Sequence, residues 1–398
     1  MILRALGTVL RRAARRFPVI TVTGPRQSCK TTLVKHEFPR HAYVSLEESD
    51  HRVFALEDPR GFLAQFPGPL VIDEAQRAPD LFSYLQTRVD ERDVPGRYVL
   101  TGSQNFLLLQ SVSQSLAGRC AILHLLPLTL AELGGRKPLD LNRLGSAVPR
   151  LSRPPKWSLE QVLFAGFYHR IHAKRLPPRE WLSGYVQTYL ERDVRQVVNI
   201  GDLETFSRFL RLCAGRNGQL INLSALAADC GISQPTARSW LSVLEASFLV
   251  VLLRPHFQNF NKRLTKSPRL YFLDTGLLCY LLNIPTAQEL HYHGSRGSIF
   301  ESYVVSEFFK FFLNRGEQAQ VYFWRDSKGH EVDLLLDVPS RLVPVEIKSA
   351  RTVAGDFFAG LDFWRTLSGN AEAPAILIHG GDRLAHQHNA LVLPWWAL

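Results

Sequence analysis

The segment Val19-Ile-Thr-Val-Thr23 runs straight into Gly24-Pro-Arg-Gln-Ser-Cys-Lys-Thr31, and the helical stretch Thr32-Leu-Val-Lys follows. A strand, a loop of this length and a helix in immediate succession leave few folds open. The pattern Gly-x-x-x-x-Gly-Lys-Ser/Thr in that setting is a phosphate-cradling P-loop. Its backbone N–H groups surround the phosphates, the lysine reaches the β and γ oxygens, and the hydroxyl holds Mg²⁺. The nucleotide-binding residues are therefore read as Gly24, Pro25, Arg26, Gln27, Ser28, Cys29, Lys30, Thr31 and Thr32. Lys30 also acts in catalysis and Thr31 on the metal. The expected cofactors are ATP and Mg²⁺.

One position departs from the pattern: Cys29 stands where the second glycine belongs. A Cβ there costs backbone strain or space close to the phosphates, and nucleotide affinity is expected to fall by about an order of magnitude or more. A thiol beside positive charge at a helix N-terminus also has the setting of a redox switch. The plainer reading is a loop that tolerates cysteine and binds more weakly.

Two further segments fit the same site. Leu70-Val-Ile-Asp73-Glu74-Ala-Gln is an apolar strand ending in two carboxylates. Asp73 is expected to hold Mg²⁺ through water, and Glu74 to orient or deprotonate the attacking water. Tyr98-Val-Leu-Thr-Gly-Ser-Gln104 is a third strand with a polar end, where Ser103 is positioned to sense the γ-phosphate. Arg119, in Leu-Ala-Gly-Arg, is read either as a phosphate-contacting or intersubunit arginine of a homo-oligomer, or as an ordinary solvated side chain. Short apolar strands alternating with helical stretches imply a mostly parallel α/β sheet over residues 1–135.

With 398 residues the chain exceeds one ordinary core, and 46% hydrophobic with 21% charged residues is a globular balance. No apolar run reaches the roughly 18–20 residues of a membrane span. The basic, apolar start through Arg16 reads as a first helix rather than a transit peptide, because it leads directly into the strand before the P-loop. A net charge of +11 favours a polyanion partner, chiefly nucleic acid. The five cysteines are scattered without disulfide or zinc spacing, which suits a reducing cytoplasm.

Beyond a Gly- and Pro-rich stretch from Gly134 to about Pro155, residues 136–215 read as a helical lid or connector with basic faces (Arg170, Lys174, Arg175, Arg179, Arg192, Arg195). Residues 216–280 carry helix-turn-helix organisation. A first helix starts near Ser224, Gly231 permits the turn, Ser233 caps the second helix and Pro235 sits early in it. Ile232, Ala237, Trp240, Leu241 and Leu244 form the buried face, and Gln234, Thr236, Arg238 and Ser239 the outward one. Phe248–Leu253 and Leu270–Leu273 then resemble a two-stranded wing, with Lys262, Arg263 and Lys266 on its loop. Such modules also bind proteins, so DNA is one of two partners open at this point.

Residues 285–398 hold a carboxylate–lysine constellation. Glu301 lies on a helix, Gly329-His-Glu-Val-Asp333 opens a hairpin strand, and Val345-Glu346-Ile-Lys348 follows on the next. Alternation puts Glu346 and Lys348 on one face of their strand. This is the layout of restriction-endonuclease-like, PD-(D/E)XK nucleases. Asp333 and Glu346 are read as Mg²⁺ ligands with Glu301 as a further one, and Lys348 as the group that helps deprotonate or orient the attacking water.

In this order, the blocks resemble a widespread prokaryotic family of AAA-type ATPases with a C-terminal domain of unknown function. The resemblance rests on Gly24-Pro-Arg-Gln-Ser, Asp73-Glu-Ala-Gln, Thr101-Gly-Ser-Gln, Ala117-Gly-Arg, Tyr189-Leu-Glu-Arg-Asp-Val, Lys266-Ser-Pro-Arg-Leu-Tyr-Phe-Leu-Asp274-Thr-Gly, Gly329-His-Glu-Val-Asp and Val345-Glu-Ile-Lys. It implies an α/β multidomain chain: a P-loop AAA-type core, a helical connector, a winged helix and a PD-(D/E)XK-like α/β terminal domain. The family pattern has Gly-Lys-Thr where this chain has Cys29-Lys-Thr, which bears on hydrolysis rate more than on fold. The leading expectation is a DNA-associated ATPase that remodels or processes DNA, branched or broken DNA included. The alternatives are an ATP-regulated metal-dependent nuclease and a nucleotide-switched interaction protein with little turnover.

Overall fold

The computed structural model describes residues 2–103, 108, 112, 114–139, 154–189, 203–256, 267–339, 341–369 and 374–398. It divides into two compact units, one of Met1–Leu128 with Ala246–Phe248 and Phe312–Gln318, the other of Thr129–Glu245, Leu249–Phe311 and Ala319–Leu398.

The first unit is built on a five-stranded sheet. Its elements are α1 (Leu6–Ala14), β1 (Val19–Thr23), α2 (Lys30–Glu37), β2 (Ala42–Ser45), α3 (Ser49–Glu57), α4 (Pro59–Ala64), β3 (Leu70–Asp73), α5 (Leu81–Glu91), β4 (Tyr98–Gly102) and β5 (Cys120–His124). The spatial order is β2-β3-β4-β1-β5, and every pairing is parallel. Strands β1, β3 and β4 are buried at every residue, as unbroken β-branched and apolar runs such as Val-Ile-Thr-Val-Thr require when both faces are covered. One face carries Val19, Leu70, Ile72 and Leu100 against α3–α5; the other carries Ile20, Val22, Val71 and Val99 against Leu6, Leu10, Leu33 and Val34. β4 lies between β1 and β3, so the C-terminal ends of all three meet on one rim, where a parallel sheet binds its ligands.

After a one-turn helix at Leu130–Leu133, the second unit continues in chain order with helices α6 (Leu159–Ala165), α7 (His169–Lys174), α8 (Pro178–Tyr189), α9 (Leu203–Gly215), α10 (Leu223–Cys230) and α11 (Gln234–Ala246). Asn222 caps α10, Gly231 ends it at φ 73°, and Ser233 Oγ accepts from Thr236 N at 3.2 Å at the start of α11. Ala237, Trp240, Leu241 and Leu244 are buried; Ile232 is half-buried; Gln234, Arg238 and Ser239 are exposed. An antiparallel pair follows, β6 (Val250–Leu253) and β7 (Arg269–Phe272). β6 starts later than the sequence suggests because Phe248 takes a left-handed φ of 56°. Lys262, Arg263 and Lys266, and likewise Arg192, Arg195 and Gln104, lie outside the described residues.

After α12 (Thr275–Leu281), α13 (Ala287–Tyr292) and α14 (Arg296–Leu313) comes a six-stranded mixed sheet. Its order is β12-β13-β11-β10-β9-β8, from β8 (Val321–Arg325), β9 (Glu331–Val338), β10 (Arg341–Lys348), β11 (Ala375–His379), β12 (Ala385–Gln387) and β13 (Ala390–Pro394). Helix α15 (Ala359–Ser368) covers it through Leu361 and Trp364. Buried Asp274 ties distant parts of the unit together: its carboxylate caps α12 at Leu277 N (2.9 Å) and also accepts from Phe167 N (2.7 Å). Among the described residues no helix is long and apolar enough to cross a membrane.

Candidate functional site

The loop between β1 and α2 holds its shape through unusual backbone angles. Gly24 sits at φ 154°, and a Cβ there would lie 2.1 Å from the carbonyl oxygen of Leu125, so only glycine fits. Gln27 and Cys29 are both left-handed, at φ 63° and 68°. Cys29 thus adopts the conformation that the missing glycine would take without strain, at a cost of about 1 kcal/mol or more for a side chain. It stands immediately before α2, whose first residue is Lys30. Lys30 Nζ donates to the carbonyls of Gly24 (3.0 Å) and Pro25 (2.9 Å), folding the lysine back over the loop it serves.

The three strand ends meet at Asp73 and Glu74. Asp73 Oδ2 accepts from Thr31 Oγ1 and from Tyr43 Oη, both at 2.8 Å, and Oδ1 accepts from Thr101 Oγ1. Burial, helped by the charge of Asp73, pushes the Tyr43 hydroxyl well above its ordinary pKa, so it stays a donor. Glu74 leaves β3 in a left-handed conformation (φ 56°), which turns its carboxylate away from the strand. Its Oε2 accepts from Gln76 Nε2 (2.6 Å) and Ser103 Oγ (3.1 Å). Lys30, Thr31, Asp73, Glu74 and Ser103, chosen from the sequence, are therefore brought together. Tyr43 lies in no motif, and its part depends on sheet order; Gln76 and Thr101 stand inside quoted motifs without an assigned role, Gln76 reaching Glu74 two residues away and Thr101 reaching Asp73 from the neighbouring strand.

Below the loop, buried Arg4 donates to the carbonyls of Ser28 (2.9 Å), Leu126 (2.7 Å) and Pro127 (3.5 Å). This residue, too, was missed in the sequence. Arg119 is paired within the chain to Asp90, Nε at 2.5 Å and Nη2 at 2.9 Å from the two carboxylate oxygens.

The donor set fits Mg·ATP: a lysine and a helix N-terminus for phosphate, a threonine hydroxyl and a carboxylate already in contact for the metal, and a second carboxylate beyond them.

The second cluster lies on β9, β10 and α14. Asp333 Oδ2 accepts from Ile347 N (2.8 Å), and Lys348 Nζ donates to Glu346 Oε1 (2.5 Å) while lying 4.0 Å from Asp333. Burial, then repulsion from Asp333, raises Glu301 to about 7 and Glu346 to about 8; burial raises Asp333 as well. Burial works against the charge on Lys348, but Asp333 and Glu346 beside it hold its pKa above the ordinary value. Glu346 Oε2 is buried without a hydrogen-bond partner. Among the described residues no three His, Cys, Asp or Glu side chains are arranged so that together they could hold a cation. A paired Asp333 and Glu346 with an orphaned oxygen still matches Mg²⁺, which takes one or two carboxylates and keeps several waters.

Residues 16–134 match an AAA domain, 156–288 a domain of unknown function (DUF8612) and 296–398 a second domain of unknown function (DUF4143). The uncharacterized protein Rv2008c of Mycobacterium tuberculosis and the uncharacterized protein Mb2031c of Mycobacterium bovis are each 34% identical over 346 residues, 86% of this chain and 73% of theirs. Among solved structures, the Walker-type ATPase PABY2304 of Pyrococcus abyssi overlaps 71% of this chain and 96% of its own, at TM-score 0.42 and 15% identity. The Thermotoga maritima RuvB Holliday junction branch migration motor overlaps 62% of this chain and 87% of its own, at TM-score 0.29 and 17% identity. The P-loop geometry, the AAA domain match and the extended likeness to the mycobacterial proteins agree: the chain belongs to the P-loop ATPase family that joins an AAA domain to a C-terminal DUF4143 domain.

Proposed function

We propose that the chain binds and hydrolyses Mg·ATP, and that its nucleotide state changes how residues 216–280 and 285–398 engage DNA. The observation that carries the first half is the grip of Asp73 on Thr31 beside a Glu74 held by Ser103 and Gln76. When bound, Mg·ATP supplies the γ-phosphoryl group and the charge neutralisation its transfer needs. Lys30 and the N–H groups opening α2 would hold phosphate oxygens, and Thr31 and Asp73 would hold the metal. Glu74 orients or deprotonates the attacking water, and Ser103 keeps that carboxylate aimed. DNA engagement is supported by the net charge of +11 and by exposed Gln234, Arg238 and Ser239 at the start of α11, the placement of a recognition helix in a winged helix.

ATP turnover measured with a panel of duplex, single-stranded and branched DNA tests this reading. Stimulation by DNA that Lys30→Ala or Glu74→Gln abolishes is expected. Turnover and nucleotide affinity unmoved by any DNA would refute the DNA half. Nucleotide binding with no phosphate release would leave a switched interaction protein.

A second reading makes residues 285–398 a metal-dependent nuclease regulated by the ATPase. It is favoured by the buried Asp333–Glu346–Lys348 group and its orphaned oxygen. The element order α14, three antiparallel strands, α15 and a parallel strand supports a restriction-endonuclease-like domain. Cleavage of DNA with Mg²⁺ or Mn²⁺ is expected to vanish in Asp333→Ala and Lys348→Ala; cleavage that survives both would rule it out.

A further inference from the structure

Strand β7 belongs to the hairpin that follows the helix-turn-helix segment, yet two of its side chains serve the C-terminal acid cluster. Tyr271, 1% exposed, donates to Glu301 Oε2 at 3.2 Å. Arg269, 6% exposed, pairs with Glu331 Oε2 at 2.6 Å and lies over the Phe323 ring, 5.1 Å from its centroid. The guanidinium Nε is buried without a hydrogen-bond partner, as is Glu346 Oε2.

This approach is fixed by backbone pairing. Residues 218–221 pair with the outer edge of β7 (Gly218 N to Leu270 O, 2.7 Å; Leu270 N to Gln219 O, 3.1 Å). Beyond β6 the chain pairs with β8, through Phe323 N to Arg254 O at 3.1 Å and His256 N to Phe323 O at 2.8 Å. Asn217 then locks β7 to the helix that carries Glu301. It accepts from Phe272 N (3.0 Å) and Ser302 Oγ (2.8 Å), and donates to Ser298 O (2.8 Å). Gly218, at φ 79°, lets this segment rest on the carboxylate itself: an added Cβ would stand 3.2 Å from Glu301 Oε2.

A purely structural joint would use apolar residues, because a buried guanidinium and a buried phenol each cost free energy unless well paired. Here both are directed at carboxylates. Glu301, Glu331, Asp333 and Glu346 are four acids against Lys348 and Arg269, with Arg325 at the exposed rim 3.5 Å from Glu331. Four acids thus face three bases, and the partnerless Glu346 Oε2 is the oxygen left for a divalent cation to meet.

We infer that the cation site is composite: Tyr271 and Arg269, carried by the hairpin, are positioning residues that orient Glu301 and Glu331 about the Asp333–Glu346 pair. The inference rests on the reading that this cluster takes a divalent cation. One consequence is a direct mechanical link, since the strand whose Tyr271 holds Glu301 belongs to the segment proposed to read DNA.

Titration of the full chain with Mn²⁺ alone, by calorimetry and by electron paramagnetic resonance of the free ion, tests both layers. Wild type shows a Mn²⁺ site that Asp333→Asn lacks, counted apart from any ion held at Thr31 and Asp73. Tyr271→Phe weakens binding by about tenfold with an unchanged melting temperature, a size typical of residues that orient ligands. In a Glu301→Gln background, Tyr271→Phe has no further effect, which a merely structural role would not produce. Should Tyr271→Phe fold poorly, Arg269→Lys carries the equivalent test, with Glu331→Gln as its background. Wild-type affinity in these variants, alongside loss in Asp333→Asn, would overturn the composite site and leave the cation reading intact. No Mn²⁺ binding by wild type, or binding indifferent to Asp333→Asn, would overturn the cation reading and this inference with it.

Discussion

Thr31 Oγ1 and Tyr43 Oη converge on one oxygen of Asp73, each at 2.8 Å, one from the helix after the P-loop and one from β2, across the sheet. The threonine belongs to the motif and is expected to trade its partner for Mg²⁺. The tyrosine does not, and its hydroxyl remains to hold Asp73 when that exchange occurs.

Replacing Tyr43 with Phe therefore separates metal handling from nucleotide handling. Mg²⁺-dependent ATP hydrolysis should fall about three- to tenfold, the size of one ordinary hydrogen bond. Affinity for nucleotide in the presence of a chelator should hardly change. Hydrolysis assays paired with fluorescent-nucleotide titrations check this, and equal losses with and without metal would assign Tyr43 to loop shape instead.

Cys29 sits at φ 68°, where a side chain is strained and glycine is not. Cys29→Gly should tighten ATP binding by about tenfold through closer phosphate approach, while the roughly 1 kcal/mol of strain relief appears as added stability. Cys29→Ala keeps the Cβ and should recover little. If alanine and glycine perform alike, the thiol rather than the backbone limits the site.

Arg4 satisfies three carbonyls on two sides of the P-loop from a buried position. Arg4→Leu leaves those acceptors without it and should cost about 2–4 kcal/mol of stability. The accompanying loss of nucleotide affinity should exceed that of Arg12→Leu, a control from the same N-terminal segment. Chemical denaturation and nucleotide titration measure the two effects separately.

The acid cluster makes stability depend on pH in an uncommon direction. Glu346 titrates at about 8 and Glu301 at about 7 in the folded chain, against 4.5 for an ordinary glutamate. Between those values the folded state holds more protons than the unfolded one, so stability present at about pH 4.5 is lost as pH rises toward 8. Without divalent cations the melting temperature should fall over that range, and Glu346→Gln should flatten the fall. A rising profile would mean that Lys348 and Arg269 already compensate the charges.

The sequence disclosed whatever depends on neighbours along the chain. The P-loop, the paired carboxylates after Ile72 and the Glu-x-Lys of β10 were legible because strand, turn and helix periods place those side chains without knowledge of the fold. Tyr43, Arg4 and Thr101 were not: each acts on a partner 24 or more residues away, and the meeting depends on which strand lies beside which. For the same reason Arg269 and Tyr271 read as wing residues. The alternation of β7 shows that they share a face, but only the pairing of residues 218–221 and 254–256 shows what that face meets. Phe248 illustrates a third kind of failure, a left-handed residue without glycine or asparagine to announce it.

Asp274 gives the order in which the second unit can be completed. Its carboxylate closes on Phe167 N, 107 residues earlier, and on Leu277 N, three residues later. During synthesis, the helices before residue 190 emerge and wait with that amide uncapped until the strand ending at Phe272 has followed. A ribosome pausing between those points would hold an open intermediate with apolar α6 exposed, the stage at which a chaperone has something to bind.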